Sequence, residues 1–438
     1  MAIIRQNKHL QIQFAVIAAK GFTAPKPLFG TATIISAICS KMLICNYKLL
    51  YSQQWCSPIS VMDIGKYKAG TLKKQYGYSS FSPAMINHDW LINDAKINNL
   101  LSEADRKLGG LNAFSMLIPN VDFFIKMHIT KEATKSSRIE GTQTSIEEAL
   151  QNEEYITPEK IDDWQEVHNY IEAMNFAIAQ LDKLPLSTRL LKQTHKKLLQ
   201  GVRGKHKLPG EFRTSQNWIG GTSLKDAAFI PPNHDEVPDL MSDLEKFLNN
   251  DELQVPPLIR IAIAHYQFET IHPFLDGNGR LGRLLITLYL VSNNIISKPA
   301  LYLSDFFEKH RLLYYDNLTL VRSKNILKQW IIFFLTGVLK TAESSIDTFN
   351  AIIKLRQLVE EKKIITLGKR VPLALELIRY LYSKPIVDAA EIATALEVNI
   401  STAHRLIQDF EKLKILIEQT GYKRNRVFVF EDYIKLFR

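Results

Sequence analysis

The segment that most restricts the fold of this chain lies at residues 272–283, with the sequence HPFLDGNGRLGR. Apolar residues at helical spacing predict one helix over 257–270 and another over 280–292, so the segment must connect two helices. Gly277, Asn278 and Gly279 come directly before the second helix, where glycines permit close backbone approach. Because the free N–H groups of a helix N-terminus attract negative charge, the sequence predicts an anion-binding loop here.

The polar side chains of the same segment suit phosphate chemistry. Asp276 offers a hard oxygen ligand for Mg²⁺ beside the anion, and Arg280 and Arg283 emerge on one side of the first helical turn. His272 stands before the loop, where it can take a proton from an attacking hydroxyl. Together these groups predict transfer of a phosphate-containing group. The loop is not a Walker loop, since no Gly-Lys-Ser/Thr follows, and it is not an H-E-x-x-H zinc site.

The rest of the chain from Met62 onward reads mainly as helices. Apolar spacing predicts helices over 97–108, 121–134, 145–153, 164–181, 187–199, 237–249, 304–321 and 326–339, in addition to the two that flank the loop. Residues 201–232 interrupt this pattern with five glycines and three prolines among β-forming residues, which predicts a hairpin or an ordered loop. The expected fold class is therefore mainly α with a small β-hairpin.

A different pattern begins near Val371. Three short helices are predicted over 374–381, 389–396 and 401–413, followed by strands over 415–418 and 426–430, which is the plan of a winged helix-turn-helix. Ten basic residues stand against nine acidic ones over 371–438, so the module carries only +1. The residues that could contact DNA are Arg405, Lys423, Arg424 and Arg426. A protein-docking or dimerisation module explains the pattern nearly as well.

The positive charge of the chain is concentrated at its start. The 438 residues carry a net charge of +10, and residues 1–61 contribute +6 with no acidic residue. Subtracting this leader and the C-terminal +1 leaves +3 for 62–370, so the basic composition is weak support for nucleic-acid binding. We interpret 1–61 as translated upstream sequence, with a transit peptide as the alternative. Three cysteines exclude a disulfide scaffold, and no stretch suits a membrane span, so a cytoplasmic protein is expected.

The segment 272–283 resembles the signature of the Fic family, H-P-F-x-[D/E]-G-N-G-R-x-x-R, at every defined position. The resemblance extends from about Tyr67 to Leu339 and includes the segment PGEFR at 209–213. Members of this family are mostly helical. They typically transfer AMP from ATP to a Ser, Thr or Tyr hydroxyl of a protein and release pyrophosphate.

The resemblance implies a role for each residue of the segment. His272 would be the general base and Asp276 the Mg²⁺ ligand. The residues expected around the phosphates of ATP are Gly277, Asn278, Gly279, Arg280 and Arg283, with Tyr314 and Tyr315 near the nucleotide. For the two tyrosines, packing in the core is an equally good interpretation. The region 201–232 would be the family's flap, in which Ala228, Phe229 and Ile230 dock the target by strand-like pairing.

A second motif lies upstream at Ser136, Glu140 and Gly141. Ser136 and Glu140 are four residues apart, so they share one face of a helix that Gly141 closes. The segment resembles the inhibitory motif of the Fic family, [S/T]-x-x-x-E-[G/N]. In that motif the glutamate pairs with the second arginine of the signature, here Arg283. One guanidinium cannot serve both a carboxylate and a phosphate bidentately, so the resemblance implies autoinhibition. A solvated helix carboxylate is the alternative for Glu140.

These observations predict an autoinhibited protein adenylyltransferase that uses ATP and Mg²⁺ and acts on a protein hydroxyl, including one of its own. A de-AMPylase using the same residues, and a DNA-binding regulator with a nucleotide-sensing core, are the alternatives. A homodimer is expected, because family members with an N-terminal inhibitory helix often self-associate. The expected organisation is a leader over 1–61, a helical region with the inhibitory helix over 62–165, a Fic core over 166–340, a helical connector over 341–370 and a winged-helix module over 371–438.

Overall fold

The structure is a computed structural model that describes residues 61–117, 121–422 and 425–438. Residues 1–60 of the predicted leader therefore lie outside the described part of the chain, and nothing tests the interpretation of that segment. The longer helices of the described part are α1 (Ala95–Leu117), α2 (Val121–Ile139), α3 (Ile146–Leu150), α4 (Ile161–Leu181), α5 (Thr188–Leu198), α6 (Val237–Asn249), α7 (Pro257–Ile271), α8 (Asn278–Ser292), α9 (Ser304–Lys309), α10 (Arg311–Lys324) and α11 (Leu327–Gln357). The expected mainly helical class is confirmed.

The region 62–165 differs from the all-helical prediction, because it opens with four short strands. These are β1 (Val61–Asp63), β2 (Gly70–Lys74), β3 (Ser79–Pro83) and β4 (Asp89–Leu91). β2 and β3 form an antiparallel hairpin in which Gly70 lies opposite Pro83, and β1 pairs with β4 in parallel. Glycine, serine and proline break any helical periodicity here, and strands of three to five residues leave too short a pattern to recognise.

The core is built around the adjacent helices α7 and α8. Every residue of α7 from Leu258 to Ile271 is buried, including polar residues such as Glu269. A helix that is enclosed on all sides loses the one-sided pattern of a surface helix. The indole nitrogen of Trp330 on α11 donates to the carbonyl of Ala262, 2.8 Å away, which fixes α11 against α7. The loop 272–277 between α7 and α8 is thereby held on a rigid base.

Two helix boundaries differ from the sequence prediction. The helix expected over 304–321 is divided into α9 and α10 at His310, whose backbone leaves the helical conformation. The helix expected to end near Leu339 continues to Gln357 as α11 and then passes into a π-helix over Leu358–Lys363. Ala342, Phe349 and Ile352 are buried and continue the apolar stripe, so the first half of the predicted connector belongs to a core helix.

The described C-terminal residues form four α-helices and a small sheet. The helices are α12 (Val371–Ser383), α13 (Ala389–Ala395) and α14 (Ile400–Lys412), with a short α15 (Glu431–Ile434). The strands β5 (Ile386–Asp388), β6 (Ile417–Glu418) and β7 (Val427–Val429) pair antiparallel in the order β5-β7-β6. β5 was not predicted, because three residues between two helices carry almost no pattern. The winged-helix interpretation stays a prediction.

This C-terminal region packs directly on α2, the helix that carries Ser136. The ring of Phe124 lies 5.4 Å from that of Tyr382 and 6.3 Å from that of Tyr433, measured between centroids. The Tyr433 hydroxyl donates to the carbonyl of Tyr382 at 3.0 Å. The first part of α2 is therefore anchored by residues far downstream in the chain. None of the helices in the described part of the chain is long and apolar enough to cross a membrane.

Candidate active site

His272 ends α7 in an unusual backbone conformation. Its φ of 50° and ψ of 60° are left-handed, a region that a residue with a side chain adopts only when its surroundings impose it. Nδ1 is buried and has no hydrogen-bond partner within the described part of the chain. Burial, followed by the charge of Arg322, lowers the pKa of His272 to about 4. The imidazole is therefore neutral at pH 7 and has a lone pair available to accept a proton.

Arg213 holds the backbone around His272. Its Nε donates to the carbonyl of His272 at 3.0 Å, and its Nη2 donates to the carbonyl of Pro232 at 2.5 Å. The backbone N–H of Arg213 donates to the carbonyl of Pro273 at 2.9 Å. Although charged, this side chain is 2% exposed. It joins the end of the flap to the His272 turn, a role that sequence reasoning did not assign because its partners are backbone carbonyls.

His195 fixes the position of Asp276 from beneath the loop. Its Nδ1 accepts the N–H of Gly210 at 2.8 Å, so the proton is on Nε2, which donates to the carbonyl of Asp276 at 2.9 Å. The ring stacks on Phe274 with 3.8 Å between centroids. Burial lowers the pKa of His195 to about 4, which keeps the ring neutral. Sequence reasoning gave His195 no role, because it has no metal-ligand spacing.

The turn into α8 is closed by Asn278. Its side-chain Oδ1 accepts the N–H of Phe274, and its Nδ2 donates to the carbonyl of the same residue, both at 2.8 Å. Gly277 has a φ of 74°, which favours glycine. A Cβ on Gly279 would lie 2.2 Å from Oε1 of Glu140, so this position must be glycine for the glutamate to approach. The predicted loop residues are therefore together at the N-terminus of α8.

The two arginines of the segment have different partners. Arg280 is buried and lies 3.5 Å from Oε2 of Glu166 and 3.6 Å from Oδ1 of Asp276. Arg283 is 2% exposed, and its Nε donates to Oγ of Ser136 at 2.9 Å. Its Nη2 donates to the carbonyl of Ser136 at 3.0 Å and to Oε1 of Glu140 at 2.7 Å. Arg283 is thus fixed by three hydrogen bonds, whereas Arg280 lies beside two carboxylates.

Glu140 and Arg283 form the pair that the inhibitory-motif resemblance implies. Burial alone raises the pKa of Glu140, but the guanidinium of Arg283 outweighs this and holds the pKa below its ordinary value. Burial likewise opposes the charge of Arg283, and Glu140 more than offsets it, so the pKa of Arg283 is raised. Both groups are charged at neutral pH. Gly141, with a φ of 106°, follows directly and ends the helix.

The sequence analysis did not identify a further carboxyl group near Arg283, that of Glu269. Glu269 is buried on α7, its Oε1 has no hydrogen-bond partner within the described residues, and burial raises its pKa to about 7. A Cβ on Gly282 would lie 2.2 Å from this oxygen, so Gly282 makes room for it. The residue lies within an apolar helix, where the sequence shows only one polar position among many core residues. No signal in the pattern distinguished it.

The two tyrosines lie differently from one another. Tyr314 is 1% exposed, and its hydroxyl shares a 2.9 Å hydrogen bond with Nε2 of His265. His265 is fully buried and also contacts the carbonyl of Gly282 at 2.8 Å, so it is a packed residue of α7. Tyr315 is 38% exposed. Of the pair, Tyr315 alone is accessible to a nucleotide in this conformation, and Tyr314 supports it from the core.

The region 201–232 is an ordered loop with one antiparallel bridge, between Ile219 and Phe229. Phe229 exchanges both backbone hydrogen bonds with Ile219, and the carbonyl of Ile230 accepts the N–H of Phe81 on β3 at 2.9 Å. Ala228 is exposed. The backbone groups of Phe229 and the carbonyl of Ile230 are thus already used within the chain. Ala228 is the predicted flap residue that stays open to a target.

Two of the four basic residues suggested for DNA contact, Arg405 and Arg426, lie within the described residues. Arg405 is exposed on α14. Arg426 lies 3.5 Å from a carboxylate oxygen of Glu411 and 4.0 Å from one of Glu418, which offsets its charge. Lys423 and Arg424 lie outside the described residues. The described part of this region thus presents little excess positive charge to a phosphate backbone.

Comparison with known proteins finds similarity to one family over two regions of the chain. Residues 98–179 match the model of the Fic/DOC family N-terminal region, and residues 185–290 match that of the Fic/DOC family. A relative from Drosophila ananassae named protein adenylyltransferase Fic is 26% identical over 242 residues, which are 50% of this chain and 45% of the relative. One of the same name from Drosophila erecta is 30% identical over 161 residues, 35% of this chain and 30% of the relative.

The chain thus spans less than half the length of these curated relatives. A solved structure of a Fic family protein from Desulfovibrio desulfuricans is 21% identical, with a TM-score of 0.49 over 78% of this chain and 97% of that one. Two regions of this chain are thus similar to the Fic/DOC family models, and the curated relatives that it resembles are named protein adenylyltransferase Fic. The match over 185–290 includes the whole segment 272–283.

Proposed function

We propose that this chain is an autoinhibited protein adenylyltransferase. It would transfer AMP from ATP to a Ser, Thr or Tyr hydroxyl of a protein, including one of its own, and release pyrophosphate. The observation that carries the proposal is a neutral His272 placed directly before a helix N-terminus that two buried arginines flank. The names of the curated relatives support the same activity.

The chemistry follows from the groups around the loop. The imidazole of His272 accepts the proton of the target hydroxyl as its oxygen attacks the α-phosphorus of ATP. A bond forms between that oxygen and phosphorus, and the bond between the α-phosphorus and the bridging oxygen to the β-phosphate breaks. Backbone N–H groups at the start of α8, together with Arg280, stabilise the negative charge on the phosphate oxygens.

Asp276 is the residue that suits Mg²⁺. Its side chain is 41% exposed at the edge of the loop, and Mg²⁺ is commonly held by one or two carboxylates together with substrate phosphates and waters. Within the described residues, no group of three or more His, Cys, Asp or Glu side chains is arranged to hold a metal by itself. Mg²⁺ bound with ATP neutralises phosphate charge. The hydrogen bond from His195 keeps Asp276 in place for this role.

The inhibition that we propose acts through Arg283. Glu140 and Ser136 together engage Nε and Nη2 of its guanidinium, so the group cannot bind a phosphate bidentately without releasing them. ATP would then bind with its terminal phosphate away from the productive position. Any event that withdraws Glu140 frees Arg283 for the nucleotide.

Incubation of the purified chain with Mg·ATP, followed by intact-mass measurement, tests the proposed activity. The chain or an added partner should gain the mass of AMP, and Glu140→Gly should increase the yield. Glu154→Gly is a matched control, because Glu154 is an exposed glutamate outside the site. If folded Glu140→Gly protein labels nothing in a complete cell lysate, the proposed activity is wrong.

Removal of AMP is a second candidate, and one observation favours it. The Glu140 side chain is 36% exposed and interacts electrostatically with both His272 and Arg283, so it can orient a water between them. Supplying a protein that already carries AMP separates the two activities. Release of free AMP that depends on Glu140 would indicate the hydrolase, and retention of AMP by that protein would exclude it.

A further inference from the structure

A cavity of about 240 Å³ lies between α2, α9 and α11, away from the candidate active site. No residue of the segment 272–283 lines it. Its polar lining comes from all three helices and from the residues before α9. The lining residues that the argument uses are His128, Lys131, Glu132, Tyr302, Asp305, Lys309 and Lys340. We refer to this space as the lysine cavity.

The lysine cavity contains more ammonium groups than nearby carboxylates can pair. A single carboxylate, that of Asp305, lies 3.6 Å from Nζ of Lys131, 3.4 Å from Nζ of Lys135 and 2.8 Å from Nζ of Lys309. Glu308 supplies one further carboxylate, 3.3 Å from Lys135. Among the lining residues themselves, the three lysines Lys131, Lys309 and Lys340 stand against the two acidic residues Asp305 and Glu132. One positive charge is therefore in excess at a partly desolvated site, where an added anion is favoured.

The charges facing Lys131 support an anion site. Burial lowers the pKa of Lys131, and the neighbouring Lys309 and Lys135 lower it further, against the opposing effect of Asp305. Glu132, which also lines the cavity, accepts hydrogen bonds from Tyr170 and from Ser304. Its carboxylate is therefore occupied within the protein, and burial raises its pKa, which reduces its repulsion of an anion.

Two buried polar atoms in the wall of the lysine cavity lack partners. His128 is 6% exposed and Tyr302 is 7% exposed, and neither Nε2 of the histidine nor the hydroxyl of the tyrosine has a hydrogen-bond partner within the described residues. A buried polar group without a hydrogen-bond partner is unfavourable, because it has lost its contact with water. His128 is neutral, because burial lowers its pKa to about 3. Both residues line the cavity, so a bound anion would lie beside side chains whose polar atoms lack a partner.

We propose that the lysine cavity binds a small phosphate-bearing anion. Lys131 and Lys309 supply the charge, and His128 and Tyr302 supply hydrogen bonds. A phosphate group suits this set, because it offers several strong acceptor oxygens to donors that converge from different helices. The site does not depend on the adenylyltransferase activity. A ligand there would bridge α2 to α9 and α11, and α2 is the helix that carries Ser136 and leads to Glu140.

Isothermal titration of the full chain with inorganic phosphate, and separately with ribose 5-phosphate, tests the proposal. We expect saturable binding with a Kd below about 10 mM for one or both probes. Tighter binding of the sugar phosphate indicates an organic monoester as the occupant, and tighter binding of phosphate indicates the free ion. Lys131→Met and Lys309→Met should each weaken binding about tenfold. Lys298→Met is the matched control, because Lys298 pairs with Asp122 outside the cavity.

Hydrogen exchange on the unaltered chain keeps the test decisive if a lysine variant does not fold. Saturating probe should slow amide exchange in α2 and α9. No saturable binding of either probe would overturn the proposal. Equal binding by the lysine variants and the control would also overturn it, as would protection confined to the loop at 276–283, because the anion would then occupy the site already described.

Discussion

Oε1 of Glu140 lies 2.7 Å from Nη2 of Arg283, although the two residues are 143 positions apart in the chain. Ser136, one turn before Glu140, accepts from the same guanidinium through its hydroxyl and its carbonyl. Gly279 completes the arrangement, since any larger residue there would occupy the position of the Glu140 carboxylate. The anion-binding loop and the helix that we propose to restrain it are therefore shaped to each other.

Removing the Ser136 hydroxyl should weaken this restraint. Ser136→Ala leaves Nε of Arg283 as a buried donor without its partner, which destabilises the restrained arrangement by about 1–3 kcal/mol. We expect AMP transfer to increase a few fold. Ser137→Ala is the matched control, because the Ser137 hydroxyl is buried without a hydrogen-bond partner in the described structure. Equal transfer rates for the two variants would contradict the role given to Ser136.

His272 should remain neutral well below pH 7. Its pKa is lowered from 6.5 to about 4, so it takes up a proton only as the pH falls towards 4. We expect its imidazole NMR resonance to stay constant between about pH 8 and pH 5.5, whereas free histidine in the same buffer titrates over that range. The resonance is assigned by its absence in His272→Gln. A midpoint near 6.5 would show that burial does not depress the pKa.

Arg213 should contribute strongly to stability. Arg213→Met keeps much of the side-chain volume but leaves the carbonyls of His272 and Pro232 without their donor. We expect the free energy of unfolding in urea to fall by about 2–4 kcal/mol. Arg189 is exposed on α5, so Arg189→Met should alter the free energy of unfolding by less than about 0.5 kcal/mol. Similar losses in the two variants would mean that the buried hydrogen bonds of Arg213 contribute little.

His195 should affect the dependence on Mg²⁺ without taking part in the reaction. His195→Phe preserves the stacking on Phe274 but removes the hydrogen bonds to Gly210 and Asp276. We expect AMP transfer to require a severalfold higher Mg²⁺ concentration for half-maximal rate, with a smaller change in the maximal rate. His206→Phe, at an exposed position, is the comparison. An unchanged Mg²⁺ dependence would show that His195 does not position Asp276.

Much of the helical fold could be predicted from the sequence, because helices such as α4, α5 and α6 show strong apolar spacing. The strands over 61–91 could not, since each is only three to five residues long. The length of α11 was underestimated, because its second half carries charged residues between buried positions such as Phe349. Such spacing also suits an exposed connector, and only packing against α1 distinguishes the two.

The candidate site was predictable where the chemistry lies in side chains close together in the sequence. The segment 272–283 belongs to this class, and so does the separate motif formed by Ser136, Glu140 and Gly141. His195 and Arg213 were missed, because they act through backbone carbonyls that any residue possesses. Tyr314 is the opposite case. Its side chain suggested contact with a ligand, but its hydroxyl is hydrogen-bonded to His265 in the core. Residues that position a site through the backbone leave no pattern in a single sequence.

The most direct test of the central proposal is the rate of AMP transfer measured by intact-protein mass spectrometry. It compares the unaltered chain, Glu140→Gly, His272→Ala and the double variant, each with Mg·ATP and each checked for folding. We expect Glu140→Gly to raise the rate at least about tenfold. Both variants that lack His272 should show no transfer. An unchanged rate in Glu140→Gly, or the same rate with and without His272, would contradict an inhibited site in which His272 is the base and Glu140 restrains Arg283.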